Sequence, residues 1–125
     1  METGGNILVV DDNNFFRIVV SKMLSRLGYE VSSADSGENG LSLFFKNKFD
    51  IVLSDYEMPG MDGVSLACSV KKSSPRTRVV IMTGAGKETV FSRKSTAVDE
   101  VILKPFTLAR IDETIKDLLG KPLCA

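Results

Sequence analysis

The chain contains no histidine at all and only two cysteines among its 125 residues. Without imidazole there are no His-based triads, no HExxH zinc sites and no phosphohistidine carried by this chain. Cys68 and Cys124 lie far apart and lack metal-ligand spacing. Cys68, four residues after Val64 on an expected helix, is read as core filling. Net charge is missing too, because 16 basic residues cancel 16 acidic ones. That balance argues against direct nucleic-acid binding and against a lipid-surface binder. No apolar run reaches the roughly 18 residues of a membrane span, so no membrane partner is expected. The first residues lack the basic and apolar regions of a signal peptide, and a cytoplasmic location is the default expectation. The chemical equipment that remains is carboxylate, hydroxyl and lysine.

An apolar share of 43% and a charged share of 26% are ordinary for a soluble globular chain. The length suits one domain over residues 1–125, without repeats, low-complexity segments or internal linkers. Asn6-Ile7-Leu8-Val9-Val10 is a short apolar run ended by two aspartates. From Asn14 to Leu27, Phe16, Val20, Met23 and Leu27 recur with helical spacing, and Gly28 is a natural stop. Glu30 to Ala34 is a mixed strand, and Leu41, Phe44 and Phe45 mark a helix starting near Ser36. Ile51-Val52-Leu53 runs into Asp55; Val64, Ala67 and Cys68 mark a third helix; Val79 to Met82 runs into Thr83. Residues 87–96 are a poor fourth helix anchored only by Val90 and Phe91. Val101-Ile102-Leu103 ends at Lys104, and Leu108, Ile111, Ile115 and Leu118 give a last helix closed by Gly120. Alternating strands and helices imply an α/β fold, a five-stranded parallel sheet with helices on both faces. The polar residues Glu30, Ser32 and Ser33 put the second strand near an edge, in agreement with the flavodoxin-like doubly wound order 2-1-3-4-5.

Parallel strands all point one way, so residues just past their carboxyl ends share one rim, where ligands of open α/β sheets bind. That rim collects Asp11, Asp12, Asp55, Thr83 and Lys104. Any one of them is an ordinary turn former or cap; their convergence on one edge is harder to explain structurally. Clustered carboxylates repel, and a divalent cation removes the conflict. With only oxygen ligands on offer, Mg²⁺ or Mn²⁺ is favoured over Zn²⁺. Lys104 and the Thr83 hydroxyl supply a cation and a donor for a phosphoryl group, beside the small turn Gly84-Ala85-Gly86. Asp55 is central and suits the role of nucleophile, leaving Asp11 and Asp12 to hold metal.

Ile7-Leu8-Val9-Val10-Asp11-Asp12, Asp55 with Met58-Pro59-Gly60-Met61-Asp62-Gly63, Thr83-Gly84 and Lys104-Pro105-Phe106 occur in this order. The set resembles the response-regulator receiver domain of two-component signalling, over nearly the whole chain. The resemblance implies that Asp55 accepts a phosphoryl group from a histidine kinase or histidine phosphotransfer protein. It implies Mg²⁺ held by Asp11, Asp12, Asp55 and the backbone carbonyl of Glu57, with Lys104 and Thr83 contacting the phosphoryl oxygens. It also implies a cis Lys104-Pro105 bond, and a signalling role in which the chain catalyses only its own phosphorylation and dephosphorylation. Output would pass to a downstream target or a fused effector; with only five residues after Gly120, a stand-alone receiver or a piece of a larger regulator is expected. Two positions depart from the family pattern. Val101 stands where an aromatic switch residue is usual, and Ala97-Val98 replace a glycine before Asp99-Glu100. Helix four, over residues 87–96, is therefore expected to carry most of any switch.

Other classes fit less well. A haloacid-dehalogenase-like phosphatase needs Asp-x-Asp after the first strand, and Asn13 stands at the second carboxylate's place. A flavodoxin needs a phosphate loop where Asp11 and Asp12 would repel one, and a Walker P-loop is absent. A non-phosphorylated pseudo-receiver typically loses one of the site groups, all of which are present here. Glu57 is read as a solvated loop carboxylate or as a neighbour of the site. Met58 and Met61 are read as loop anchors, and Lys71, Lys72, Arg76 and Arg78 as a solvated face. Phe91 and Phe106 fit either a core or a partner-facing surface.

Overall fold

Strand β1 (Asn6–Val10) buries every residue after Asn6 because it lies inside the sheet, with β2 (Glu30–Ala34) on one side and β3 (Ile51–Asp55) on the other. The structure, a computed structural model, describes residues 5–84 and 96–120. Its sheet runs β2-β1-β3-β4-β5, all neighbours parallel, with β4 spanning Arg78–Thr83 and β5 Glu100–Leu103. The expected fold class and strand order are therefore observed. Edge strand β2 leaves Glu30 and Ser33 exposed, as its polar composition requires.

Side chains alternate between the two faces with the strand period of two. Leu8, Val10, Val52, Ile81 and Val101 pack on one face with residues of α2 (Gly37–Lys46) and α3 (Gly63–Ser73). Ile7, Val9, Ile51, Leu53, Val80, Met82 and Ile102 pack on the other with α1 (Asn14–Arg26) and α4 (Leu108–Gly120). Short polar residues start the helices. The side chains of Asn13, Ser36 and Asp62 accept the backbone N–H of Phe16, Asn39 and Ser65 at 2.9, 3.0 and 2.8 Å. Gly28, at φ +99°, ends α1 in a conformation that side chains disfavour.

Several expected core positions turn out differently. Cys68 is exposed; Leu66 and Val70 join Val64 and Ala67 in burying α3. Phe45 is 62% exposed while Phe44 is buried. The buried face of α2 also includes Gly37 and Gly40, where an added Cβ would stand 2.9 Å from Met61 and from Val10 respectively. In α1, Leu24 is buried where Met23 was expected, and Leu108 in α4 is 39% exposed. The basic stretch is not simply a solvated face. Lys71 bonds Asp99 at 2.7 Å and Arg78 lies 3.6 Å from the same carboxylate, while Lys72 and Arg76 are exposed. Of the expected fourth helix, residues 87–95 lie outside the described residues, as do Phe91, Ala85, Gly86 and Cys124.

Candidate functional site

The carboxyl ends of β1, β3, β4 and β5 bring Asp11, Asp12, Asp55, Thr83 and Lys104 to one cleft. Asp11 leaves β1 fully buried, its N–H donating to Ala34 O at 3.1 Å. Its carbonyl accepts Arg17 Nη1 at 2.8 Å, and its Oδ1 accepts the Asn13 N–H at 2.9 Å. These bonds fix the β1–α1 loop, so that Asp11 faces inward while Asp12 stays exposed beside it. Asp55 closes β3, and its Oδ1 accepts the Tyr56 N–H at 3.0 Å. Carboxylate oxygens of Asp11, Asp12 and Asp55 lie within 4.8 Å of one another. Lys104 Nζ reaches between two of them, 3.0 Å from Asp11 Oδ2 and 3.2 Å from Asp55 Oδ1.

One ammonium does not balance this cleft. Burial pushes the Asp55 carboxyl above its ordinary range and the Asp11 charge pushes it further. Lys104 and the Tyr56 N–H pull it back only in part. Asp11 Oδ2 is buried and accepts no aligned hydrogen bond, leaving the ammonium as its compensating charge. An under-satisfied buried carboxylate oxygen beside two further carboxylates, with no sulfur or imidazole in the cluster, fits a hard divalent cation such as Mg²⁺.

Thr83 ends β4 buried, its carbonyl accepting the Lys104 N–H at 3.0 Å. Asp55, exposed Glu57, Thr83, Gly84 and Lys104 line an open cleft of about 400 Å³, which puts Glu57 beside the site rather than away from it. The Lys104-Pro105 bond is cis, as the resemblance implied. Met58 is buried, and Met61 packs half-buried on the same core. Val101 is wholly buried opposite Ile81.

Two contributions, those of Phe16 and Arg17, were not legible in the sequence. Phe16, expected only as a helix anchor, places its ring 4.4 Å from Lys104 Nζ. Phe106 resolves toward packing, meeting Phe16 edge-on at 5.7 Å and 85°. Arg17 holds the Asp11 carbonyl. The available signal was that Phe16 and Arg17 fall on the first turn after the acidic pair.

Residues 7–116 match the response regulator receiver domain family. The chain is 30% identical over 119 residues to a probable chemotaxis protein CheY of Rhizobium etli, covering 91% of this chain and 92% of that one. It is 32% identical to sporulation initiation phosphotransferase F of Bacillus subtilis, covering 90% and 92%. It also matches the autoinducer 1 sensor kinase/phosphatase LuxN of Vibrio campbellii at 31% identity, but spans only 14% of that protein's length. Among solved structures, response regulator TrrA of Thermotoga maritima, in complex with Mg²⁺-BeF, superposes with a TM-score of 0.84 at 33% identity, covering 91% of this chain and 98% of that one.

Proposed function

The chain belongs to the response regulator receiver domain family, and on that footing we propose that it is a phosphoacceptor, with residues 1–125 forming one receiver domain. Asp55 takes a phosphoryl group from a phosphohistidine on a partner histidine kinase or histidine phosphotransfer protein. The observation that carries the reading is the convergence of Asp11, Asp12 and Asp55 within 4.8 Å, with Lys104 bridging Asp11 and Asp55.

In the transfer, an Asp55 carboxylate oxygen attacks phosphorus in line. An O–P bond forms, the P–N bond to the donor imidazole breaks, and the imidazole leaves with its electron pair and takes up a proton. Asp55 must be ionised to attack, and burial first and the Asp11 charge second oppose ionisation. The Lys104 ammonium offsets part of that cost. Asp11, Asp12, Asp55 and the Glu57 backbone carbonyl are the oxygens that would hold Mg²⁺, or Mn²⁺ by the same ligand chemistry. When bound, the cation neutralises charge on the phosphoryl oxygens. Lys104 then pairs with those oxygens, and the Thr83 hydroxyl donates to one of them. The chain thus catalyses its own phosphorylation and dephosphorylation and acts on no separate substrate.

The signal passes to a downstream target or a fused effector by protein contact. The zero net charge gives no basis for direct nucleic-acid binding. Among the described residues no helix is long and apolar enough to cross a membrane, and a cytoplasmic site of action fits a partner phosphohistidine. Incubation with Mg²⁺ and acetyl phosphate, read by intact mass, should add one alkali-labile phosphoryl group. Asp55→Asn should add none, and undiminished labelling of that variant would overturn the assignment.

A further inference from the structure

Among the described residues, Lys104 has three partners of negative potential in the cleft. Two are carboxylate oxygens, Asp11 Oδ2 at 3.0 Å and Asp55 Oδ1 at 3.2 Å. The third is the ring of Phe16, its centroid 4.4 Å from Nζ, well inside the range of a cation–π contact. The three are not equivalent. Both carboxylates belong to the cluster that can hold a cation, and a cation bound there competes with the ammonium for their oxygens. A phenyl ring is no ligand for a hard divalent ion. It is the one partner that cation binding leaves in place.

The ring is itself held. Phe16 lies in the first turn of α1, whose N-cap Asn13 accepts the Phe16 N–H at 2.9 Å. It packs half-buried against the core on that face of the sheet. Phe106, two residues after Lys104, meets it edge to face at 5.7 Å and 85°, the arrangement aromatic quadrupoles favour. The Lys104 backbone is tied as well, its N–H donating to Thr83 O at 3.0 Å. The lysine backbone and the ring are thus fixed by different elements that converge on the ammonium.

We propose that Phe16 is a positioning residue for Lys104: its ring face keeps the ammonium over the phosphoacceptor cleft once a divalent cation has claimed the carboxylate oxygens. This rests on the phosphoacceptor reading and adds to it a side chain that no motif marks. An untethered lysine would spread over many rotamers and would have to be reordered during transfer. A lysine held by the ring meets the phosphoryl oxygens already in place.

The test has two readouts. In the NMR spectrum of the wild-type protein, ring current should shift the Lys104 ε-methylene protons upfield, and the shift should persist when Mg²⁺ is added. Phe16→Tyr, which keeps the ring face, should retain the shift. Phe16→Leu, which keeps an apolar side chain without a quadrupole, should lose it. With acetyl phosphate at saturating Mg²⁺, Phe16→Leu should be phosphorylated about three- to tenfold more slowly, while its Mg²⁺ affinity stays within about twofold and Phe16→Tyr keeps the wild-type rate. Acetyl phosphate carries no protein surface, so lost donor docking cannot mimic the effect. Phe16→Met replaces Phe16→Leu if the latter does not fold. An unshifted ε-methylene, a shift abolished by Mg²⁺, or equal rates in wild type and Phe16→Leu would each overturn the proposal. If the wild-type protein takes no label, the phosphoacceptor reading fails by itself, and the shift comparison still decides the Phe16–Lys104 contact.

Discussion

Replacing Gly63 by alanine sets two effects of opposite sign against each other at the edge of the cleft. Gly63 is the first residue of α3, directly after its cap Asp62. Alanine there gains helix propensity, worth at most about 1 kcal/mol. The added methyl, however, would collide with the backbone carbonyl oxygen of Asp55 and stand 3.0 Å from Ile81 Cδ1. The backbone wall does not retreat cheaply. The Asp55 carbonyl accepts the Ser54 hydroxyl at 3.0 Å, and the Gly63 N–H donates to Tyr56 O at 2.9 Å. Overpacking of this kind costs about 1–3 kcal/mol, so the collision outweighs the propensity gain. A net loss of about 1–2 kcal/mol corresponds to a melting temperature lower by roughly 4–8 °C for a domain of this size. The displaced group is the backbone of the proposed acceptor itself, and a shift on the order of 1 Å there can slow transfer by about a hundredfold. Thermal melts and acetyl phosphate labelling read the two consequences separately. Gly84→Ala is the control, because a Cβ at Gly84 meets nothing within 4 Å among the described residues, and its stability should stay within about 0.5 kcal/mol of wild type. A Gly63→Ala protein that melts and labels like wild type would refute the close approach.

Asp55→Asn should stabilise the metal-free protein at neutral pH. The folded Asp55 pKa is raised above 3.8 by burial and then by Asp11, so the folded state holds this proton longer than the unfolded one. Stability therefore falls as pH rises from the unfolded value through the folded one, and the penalty is complete above it. Urea melts should show the variant ahead of wild type at pH 7 and the gap closing toward pH 3.8; a gap independent of pH contradicts the sign. Asp99→Ala should cost about 1.5–3 kcal/mol, because Asp99 Oδ2 accepts the Val79 N–H and Lys71 Nζ, each at 2.7 Å. Urea denaturation that places the loss under about 0.5 kcal/mol, the level of an exposed ion pair, would show the carboxylate to be dispensable.

The strands were legible because a parallel sheet buried on both faces demands continuous apolar runs, and the rim followed from their common direction. Helix rotation was less legible. Val64, Ala67 and Cys68 form a valid helical stripe, yet the buried set adds Leu66 and Val70 and leaves Cys68 outside. At the entry of α3, Gly63 leaves no room for a Cβ beside the Asp55 carbonyl, a close approach that hydropathy does not record. On α2, glycines at 37 and 40 define much of the packed face, and Phe45 is left in solvent beside buried Phe44. Lys71 and Asp99 are 28 residues apart, so their pairing carries no local signal. Asp11, Asp55, Thr83 and Lys104 sit at strand ends, so their convergence on one rim could be read. Phe16 could not, because its apolar spacing had already been explained by helix packing.

Charge balance connects the cleft's parts. Among the described residues, three carboxylates face the Lys104 ammonium, and the Asp55 pKa is raised by burial first and by the Asp11 charge second. A dication together with Lys104 would balance those carboxylates. In the proposed transfer, the acyl phosphate then carries about two negative charges where the Asp55 carboxylate carried one. The added charge falls on the side of the cleft lined by Thr83, Gly84 and Lys104. Val101 is fully buried opposite Ile81, on the face of the sheet that packs α2 and α3. Its short, β-branched side chain has little χ1 freedom to fill space vacated by Thr83. In the proposed transfer, a response to the new charge would begin with the Thr83 hydroxyl and the Lys104 ammonium, because β5 carries Val101 and no ring. On the Lys104 side, among the described residues, the ammonium faces the ring of Phe16 in the first turn of α1.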